Sequence, residues 1–279
     1  MRVEFCGVRG STPAPGPAFV RVGGHTSCVA IAHDGEAPSL LLDGGTGLRL
    51  VTLLLQGQAY QGSLLLSHLH WDHVHGLPFF TSGAAEGARV DVQLPSPDGD
   101  PVATLERGMS PPHFPVGPME LGPGWTYRTL REGEQQLEGF TVLARVIPHK
   151  GGQTFGFRVS DGTSSMAYLS DHMPLALGDG PAGYGALHDA AMALADGVDL
   201  LVHDAQYVAA EFPHVAYLGH ASVEYCVSLA RAAGARRLAL FHHAPDRTDD
   251  DVEQMTADAR CDDVDVLTAT QGLVVNLPD

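Results

Sequence analysis

The segment LLLSHLHWDHVHGLPFF, residues 64–80, places four histidines and one aspartate within eight positions. His68, His70, Asp72 and His73 read as H-x-H-x-D-H directly behind the apolar run SLLL. Imidazole nitrogens and carboxylate oxygens are donors that zinc, manganese and iron accept. Side chains alternate along a strand, so His68 and His70 leave it on one side. The turn that follows brings Asp72 and His73 round behind them. Four donor residues in six positions at a strand end point to a metal centre. His75 falls outside the pattern and reads as a structural residue.

Such a centre needs a rigid scaffold. Short β-like runs recur along the chain, among them RVEFCGV, CVAIA, SLLLD, SLLLS and RVDVQL. GFTVLARVI, TFGFRVS, SMAYLS, DLLVH, RLALF and GLVVNL follow, each ending near Gly, Pro, Asp or Ser. Helical patterns are fewer: residues 46–56, YGALHDAAMALADG, ASVEYCVSLARAAG with Gly234 as its stop, and DDDVEQMTADAR with acidic residues at its start. Strands first and strand–helix alternation afterwards predict an α/β fold, an αββα sandwich. Two mixed sheets would pack face to face with helices on the outer faces. No fixed-period repeat appears, and one domain over residues 1–279 is expected. The Pro- and Gly-rich stretch 95–135 reads as a loop or flap near the active site rather than a linker. Its aromatic residues Phe114, Trp125 and Tyr127 need a surface to pack on.

The formal net charge is −17, and Lys150 is the one lysine in the sequence. A protein that grips long RNA or DNA presents a basic stripe to the phosphates. None is visible here, so extended nucleic acid is not the expected partner, whereas a small phosphorylated ligand held by metal ions is compatible. The four cysteines, Cys6, Cys28, Cys226 and Cys261, include no C-x-x-C pair and read as reduced, mostly buried thiols. No apolar run is long enough to span a bilayer, and the start MRVEFCGVRGS lacks the apolar core of a secretory signal. A cytoplasmic protein with no membrane partner is expected.

At this point the motif H-x-H-x-D-H resembles that of the metallo-β-lactamase superfamily, and the likeness runs from GVRGS to GLVVNL. The resemblance implies two divalent metal ions, zinc first, with manganese or iron accepted by the same donors. It requires a third histidine, an acid and a last histidine downstream. His149 in VIPHKGG, Asp171 in AYLSDH and His242 in LALFHHAP match them, with His243 as the competing choice for the last. Carried over, one metal would be held by His68, His70 and His149, the other by Asp72, His73 and His242, with Asp171 bridging. The field of two such ions can lower the pKa of a bridging water until hydroxide exists near neutral pH. Two-zinc β-lactamases carry a cysteine where Asp171 stands, which argues against antibiotic hydrolysis.

A second set, LLVHDAQY followed by GHASVEYCVSLARAAG, resembles the phosphodiesterase branch that includes tRNase Z. There an acid pairs with the histidine that begins the next helix, and Asp204 and His220 match those positions. A protonated imidazole suits the departing alkoxide of a phosphodiester, and a carboxylate keeps it charged. His220, Asp204 and Asp72 are therefore the catalytic candidates. The segments GGHTSC, PPHFPV and LFHHAPDRTDD are similar to a bacterial subgroup described as cyclic-nucleotide phosphodiesterase-like. The long basic arm of tRNase Z is not evident. The expected activity is hydrolysis of a small or cyclic nucleotide-type phosphodiester by a metal-bridging hydroxide. The alternatives are a lactone or thioester hydrolase and a tRNA 3′-processing endonuclease, and further off an iron oxidoreductase or a nucleotide sensor. A homodimer is compatible with the fold. Asp43 in LLLDGGTGL reads either as a partner of a ligand histidine or as a turn former. Ser67 and Trp71 read as packing residues, and His25 as lining the site. Arg9 reads as a phosphate contact or a structural ion pair. Phe79, Phe80, His113 and Phe114 read as a base pocket or as core.

Overall fold

The structure is a computed structural model that describes residues 1–278. The strands are β1 (Arg2–Gly7), β2 (Cys28–Ala32), β3 (Leu40–Leu42), β4 (Gln61–Leu65), β5 (Arg89–Leu94), β6 (Trp125–Thr129) and β7 (Gly133–Leu137). They continue as β8 (Phe140–Ile147), β9 (Thr154–Ser160), β10 (Ser165–Leu169), β11 (Leu200–Asp204), β12 (Arg237–Phe241), β13 (Asp265–Thr268) and β14 (Val274–Asn276). The helices are α1 (Leu48–Leu54), α2 (Trp71–Val74), α3 (Thr81–Ala84), α4 (Pro101–Glu106), α5 (Asp189–Ala195), α6 (Phe212–Val215), α7 (Val223–Ala233) and α8 (Asp249–Ala259).

Two seven-stranded sheets result, in the orders β14-β1-β2-β3-β4-β5-β6 and β13-β12-β11-β10-β9-β8-β7. Both are mixed in the same way. The pairs from β14 to β3 and from β7 to β10 are antiparallel. Those from β3 to β6 and from β10 to β13 are parallel. The central parallel strands β3 and β11 are buried on both faces, which is why they read as unbroken apolar runs, LLL and LLV.

Strand alternation sorts these runs into layers. Leu40 and Leu42 face the core between the sheets, with Phe5, Ile31, Phe157, Val202 and Phe241. Leu41 faces outward with Leu64, Leu48 and Val51, under α1. On the second sheet Tyr168 and Val202 point inward, while Ala167, Leu169 and Leu201 point out to α5 and α7. Each fully buried side chain of this size contributes roughly 1.5–3 kcal/mol. Helix α7 begins at Ser222, whose side chain accepts from the Tyr225 amide, and stops at Gly234 in the left-handed conformation.

The stretch 95–135 is not one loop. Its last third is strand, in β6 and the start of β7, and the rest is anchored. Asp100 caps α4 by accepting from the Ala103 amide, and Leu105, Met109 and Leu121 are buried against the outer face of the first sheet. The two strands escape a sequence reading because WTYRT follows a Gly-Pro-Gly turn and GEQQL is a polar edge strand. Polar residues on an edge face water and hide the alternation.

Candidate metal and acid–base site

The chemistry-bearing residues gather at the carboxyl ends of the central strands, the usual place for a ligand crevice in such sheets. Asp43 follows β3, His68 follows β4, His149 follows β8, Asp171 follows β10, Asp204 ends β11 and His242 follows β12.

Two groups of donors share one carboxylate. His68, His70, His149 and Asp171 form the first, with the chosen atoms within 4.8 Å of one another. His149 Nε2 lies 3.3 Å from His70 Nδ1 and 3.4 Å from Asp171 Oδ2. His68 Nε2 is 3.6 Å from the same oxygen. Asp72, His73, Asp171 and His242 form the second. Here the other oxygen, Asp171 Oδ1, stands 3.0 Å from His73 Nε2 and 3.1 Å from His242 Nε2. Asp72 Oδ2 is 3.2 Å from His73 Nε2 and 3.1 Å from His242 Nε2. The two oxygens of Asp171 thus face different groups. All seven predicted donors meet, and His242 joins them rather than His243, which turns away to the Ala269 carbonyl.

The donor set fits two divalent cations. His68 Nε2 in the first group, and His73 Nε2 and Asp171 Oδ1 in the second, are buried without a hydrogen-bond partner. Buried polar atoms are costly when unpaired, so unpartnered donors in each group mark a place for a cation. Their opposite ends are held. His68 Nδ1 lies 3.0 Å from Ser67 Oγ, and His73 Nδ1 lies 2.8 Å from Asp43 Oδ2. His149 Nδ1 donates to the Gly219 carbonyl at 2.7 Å. Gly219 has φ +102°, a conformation that favours glycine.

Asp43 takes both roles foreseen for it. Its φ is 62°, a turn conformation, and its carboxylate accepts from the Ser67 amide and hydroxyl, His73 and Tyr168. Tyr168 comes from the second sheet, so this one carboxylate ties the sheets together beneath the donors. His242 (φ 58°) and Ser11 (φ 64°) are also left-handed. The Ser11 amide donates to Asp72 Oδ2 at 2.7 Å. Gly10 permits this closeness, since a Cβ there would lie 2.4 Å from the His242 ring.

Charges within the site are strongly coupled. Burial disfavours the cation of His73, but Asp72, Asp171 and Asp43 outweigh it and raise its pKa well above the usual value. Burial, then the neighbouring His73, hold His68 well below. For Asp171, burial favours the neutral acid, yet His242, His73 and His68 bring its pKa well below the ordinary range.

Asp204 and His220 meet beside both groups. His220 Nδ1 is 3.0 Å from Asp204 Oδ2, and the same oxygen accepts from the His172 and Ala221 amides. Burial opposes protonation of His220, but Asp204 and then Asp171 reverse it and push its pKa up to about 9. His220 also lines a cavity of about 430 Å³, with His70, Asp72, His149 and Asp171 on the same wall.

Several smaller expectations change. Trp71 is not a packing residue: it is 69% exposed, stacked on His75. For Arg9 the structural ion pair holds rather than the phosphate contact. The side chain is fully buried, giving hydrogen bonds to the Gly23 and Arg247 carbonyls and an ion pair to Asp249. His25 bonds Thr46 instead of touching the donors. Phe80 is core, whereas Phe79, His113 and Phe114 line a separate cavity. A further trio, buried His172 and His203 with half-buried His188, was missed. The adjacency of His172 to Asp171 and of His203 to Asp204 was its only signal.

A family model described as a beta-lactamase superfamily domain matches residues 41–243, a span that contains all seven donors. The chain belongs to the beta-lactamase superfamily. Within it, the chain is a metal-dependent hydrolase. It is 28% identical to a Ribonuclease Z of Salinibacter ruber over 262 residues, covering 78% of this chain and 79% of that one. A Ribonuclease Z of Exiguobacterium sibiricum is 25% identical over 244 residues, covering 71% and 76%. Among solved structures, a metallo-beta-lactamase fold protein from Bacillus subtilis superposes with a TM-score of 0.72 at 18% identity, covering 98% of each chain. The short form of human tRNase Z gives 0.67 at 22% identity over the whole of both chains. These likenesses show the shared sandwich. The names of the relatives run against the expectation that long nucleic acid is not a partner. Among the described residues no helix is long and apolar enough to cross a membrane.

Proposed function

We propose that this hydrolase cleaves a small phosphodiester, with zinc as its metal. His68, His70 and His149 would hold one cation and Asp72, His73 and His242 the other, with Asp171 between them. Cations bound there supply the acidity that makes water a nucleophile near neutral pH and the charge that a phosphoryl transition state needs. Asp72 is fixed by the Ser11 amide and is placed to accept a proton from the attacking water. Asp204 engages Nδ1 of His220, which leaves Nε2 to give its proton to the departing oxygen as the P–O bond breaks. Asp204 holds the ring in that orientation throughout and is itself fixed by three backbone amides, those of His172, Gln206 and Ala221.

The Asp204–His220 pair carries this reading. A thioester expels a thiolate that needs little protonation, so the pair would be idle in a thioester hydrolase. A lactone expels an alkoxide, and the choice of substrate separates it from a phosphodiester. The test is hydrolysis of bis-p-nitrophenyl phosphate and cyclic nucleotides by the metal-loaded enzyme. Turnover that depends on added metal is expected, and no turnover of any of them overturns the proposal. On a cyclic nucleotide, whose leaving group is an alkoxide, His220→Ala should lower the rate by about 10²–10⁴-fold, the usual range for a general acid, with metal content unchanged. On bis-p-nitrophenyl phosphate, whose leaving group needs no proton, the loss should be much smaller. Loss of metal instead would show that His220 is a ligand.

The named relatives favour a second reading, cleavage of RNA at a tRNA 3′ end. Against it stand the net charge of −17 and the single lysine. Precise cleavage of a tRNA precursor, faster than that of the small diesters, would establish the second reading over the first.

A further inference from the structure

A second cavity, of about 350 Å³, opens beside the donor groups and shares the walls Leu69 and Trp71 with the first. Its character is different. Trp71, Phe79, Met109, His113 and Phe114 line it, and no carboxylate or cationic side chain other than histidine takes part. Trp71 and Phe79 are 69% and 59% exposed, although large apolar side chains normally avoid water. Their rings are arranged as flat surfaces: Trp71 lies nearly parallel to His75, and Phe79 meets Phe114 edge to face. The far wall comes from α4 and the turn after it, whose Leu105 and Met109 are anchored in the core. The cavity is therefore built rather than incidental, at the lower end of the size of small-molecule sites.

Trp71 stands between the donors His70 and Asp72 in the chain. The first cavity meets the second at Leu69 and Trp71, so a phosphodiester at the donors can send one ester arm past this ring. We infer that the cavity takes that arm, and that the arm carries a flat aromatic ring: an aryl group or a nucleobase. A second phosphate has no arginine or lysine to meet among the lining side chains, and the neighbouring Arg107 is paired with Asp98. The inference rests on the phosphodiesterase reading and narrows its substrate class.

The experiment holds the p-nitrophenolate leaving group constant and varies the other ester: methyl, phenyl, or thymidine 5′-O. The phenyl and thymidine diesters should exceed the methyl diester in kcat/KM by at least about tenfold, mostly through KM. Gly108→Phe should fill the cavity, since Gly108 lines it and nothing lies within 4 Å of a Cβ built there. In that variant the aryl-to-methyl ratio should fall towards one, with an unchanged melting temperature. A binding readout is independent of turnover. Of the two tryptophans, Trp125 is buried, so emission from exposed Trp71 should shift and quench with phenylphosphonate or thymidine 5′-monophosphate but not with inorganic phosphate. Preference for thymidine over phenyl identifies a nucleobase site; equal preference identifies an aryl site. Equal rates for all three diesters, with no response to Gly108→Phe or in Trp71 emission, overturn the subsite and leave the phosphodiesterase reading standing. Quenching by the aromatic ligands with no diester hydrolysed does the reverse.

Discussion

Two groups of buried histidines lie back to back in this molecule, and their hydrogen bonding separates them. In the donor groups, His68 Nε2 and His73 Nε2 have no hydrogen-bond partner. In the neighbouring trio every ring nitrogen has one. His203 Nδ1 donates to the Asp204 carbonyl at 2.8 Å, so its Nε2 accepts from His172 Nδ1 at 3.0 Å. His172 Nε2 then accepts from His188 Nε2 at 2.7 Å, and His188 Nδ1 accepts from the Ala191 amide. One proton per ring satisfies the whole chain. Burial lowers the pKa of all three, and no carboxylate opposes it at His172. At His73 three carboxylates do. Clustering of histidines therefore does not make a metal site. Unpaired nitrogens that converge with carboxylates do.

The difference can be broken from the donor side first. Asp171→Ala removes the one carboxylate common to both donor groups. Supporting partners of metal ligands alone are worth about 10–100-fold, so losing the shared carboxylate should cost more than about 100-fold in activity. Metal analysis of the purified variant should show both cations depleted; retention of both would overturn the bridging assignment. Asp43→Asn comes next. It keeps the shape but weakens the acceptor that receives His73 and Tyr168. A loss of about 10–100-fold in metal affinity is expected, read by competition with a chelator, and an unchanged affinity would reduce Asp43 to a turn former.

How much of this was legible follows from range. H-x-H-x-D-H is local, so the periodicity of one strand and the turn after it exposes four donors at once. His149, Asp171 and His242 lie far apart in the chain, and only the order of residues in a known family links them. Nothing local distinguishes His242 from His243; the left-handed backbone at His242 does, and it needs coordinates to be seen. The layered architecture was legible because short apolar runs bounded by turn formers, such as LLLD before Gly-Gly, recur along the chain. β6 and β7 were not, because edge strands carry polar side chains. The trio was hidden for a related reason. Asp204 and His203 are neighbours on one strand, so alternation sends them to opposite faces, and only Asp204 reaches the donors. Trp71 misled because a tryptophan between two ligands looks like packing, whereas it borders a cavity.

From the trio's side the expected effects are on stability, and smaller. His172→Phe fills the same space but strands His203 Nε2 without a donor and His188 Nε2–H without an acceptor. Each unpaired buried group costs about 1–3 kcal/mol, so urea unfolding should show a loss of about 2–4 kcal/mol, with metal content preserved. Metal loss in a folded variant would show that the two groups are one system. His188→Ala should have the least effect. His188 sits at the half-buried end of the chain, so water can replace it at His172 Nε2. What remains is its role as the cap of α5, where it accepts from the Ala191 amide at 3.4 Å. Caps are worth about 0.5–2 kcal/mol, and a bond this long belongs at the lower end. A loss of about 0.5–1 kcal/mol is expected in the same unfolding measurement. A loss equal to that of His172→Phe would mean that the trio is a single cooperative network, with its outer member as important as its centre.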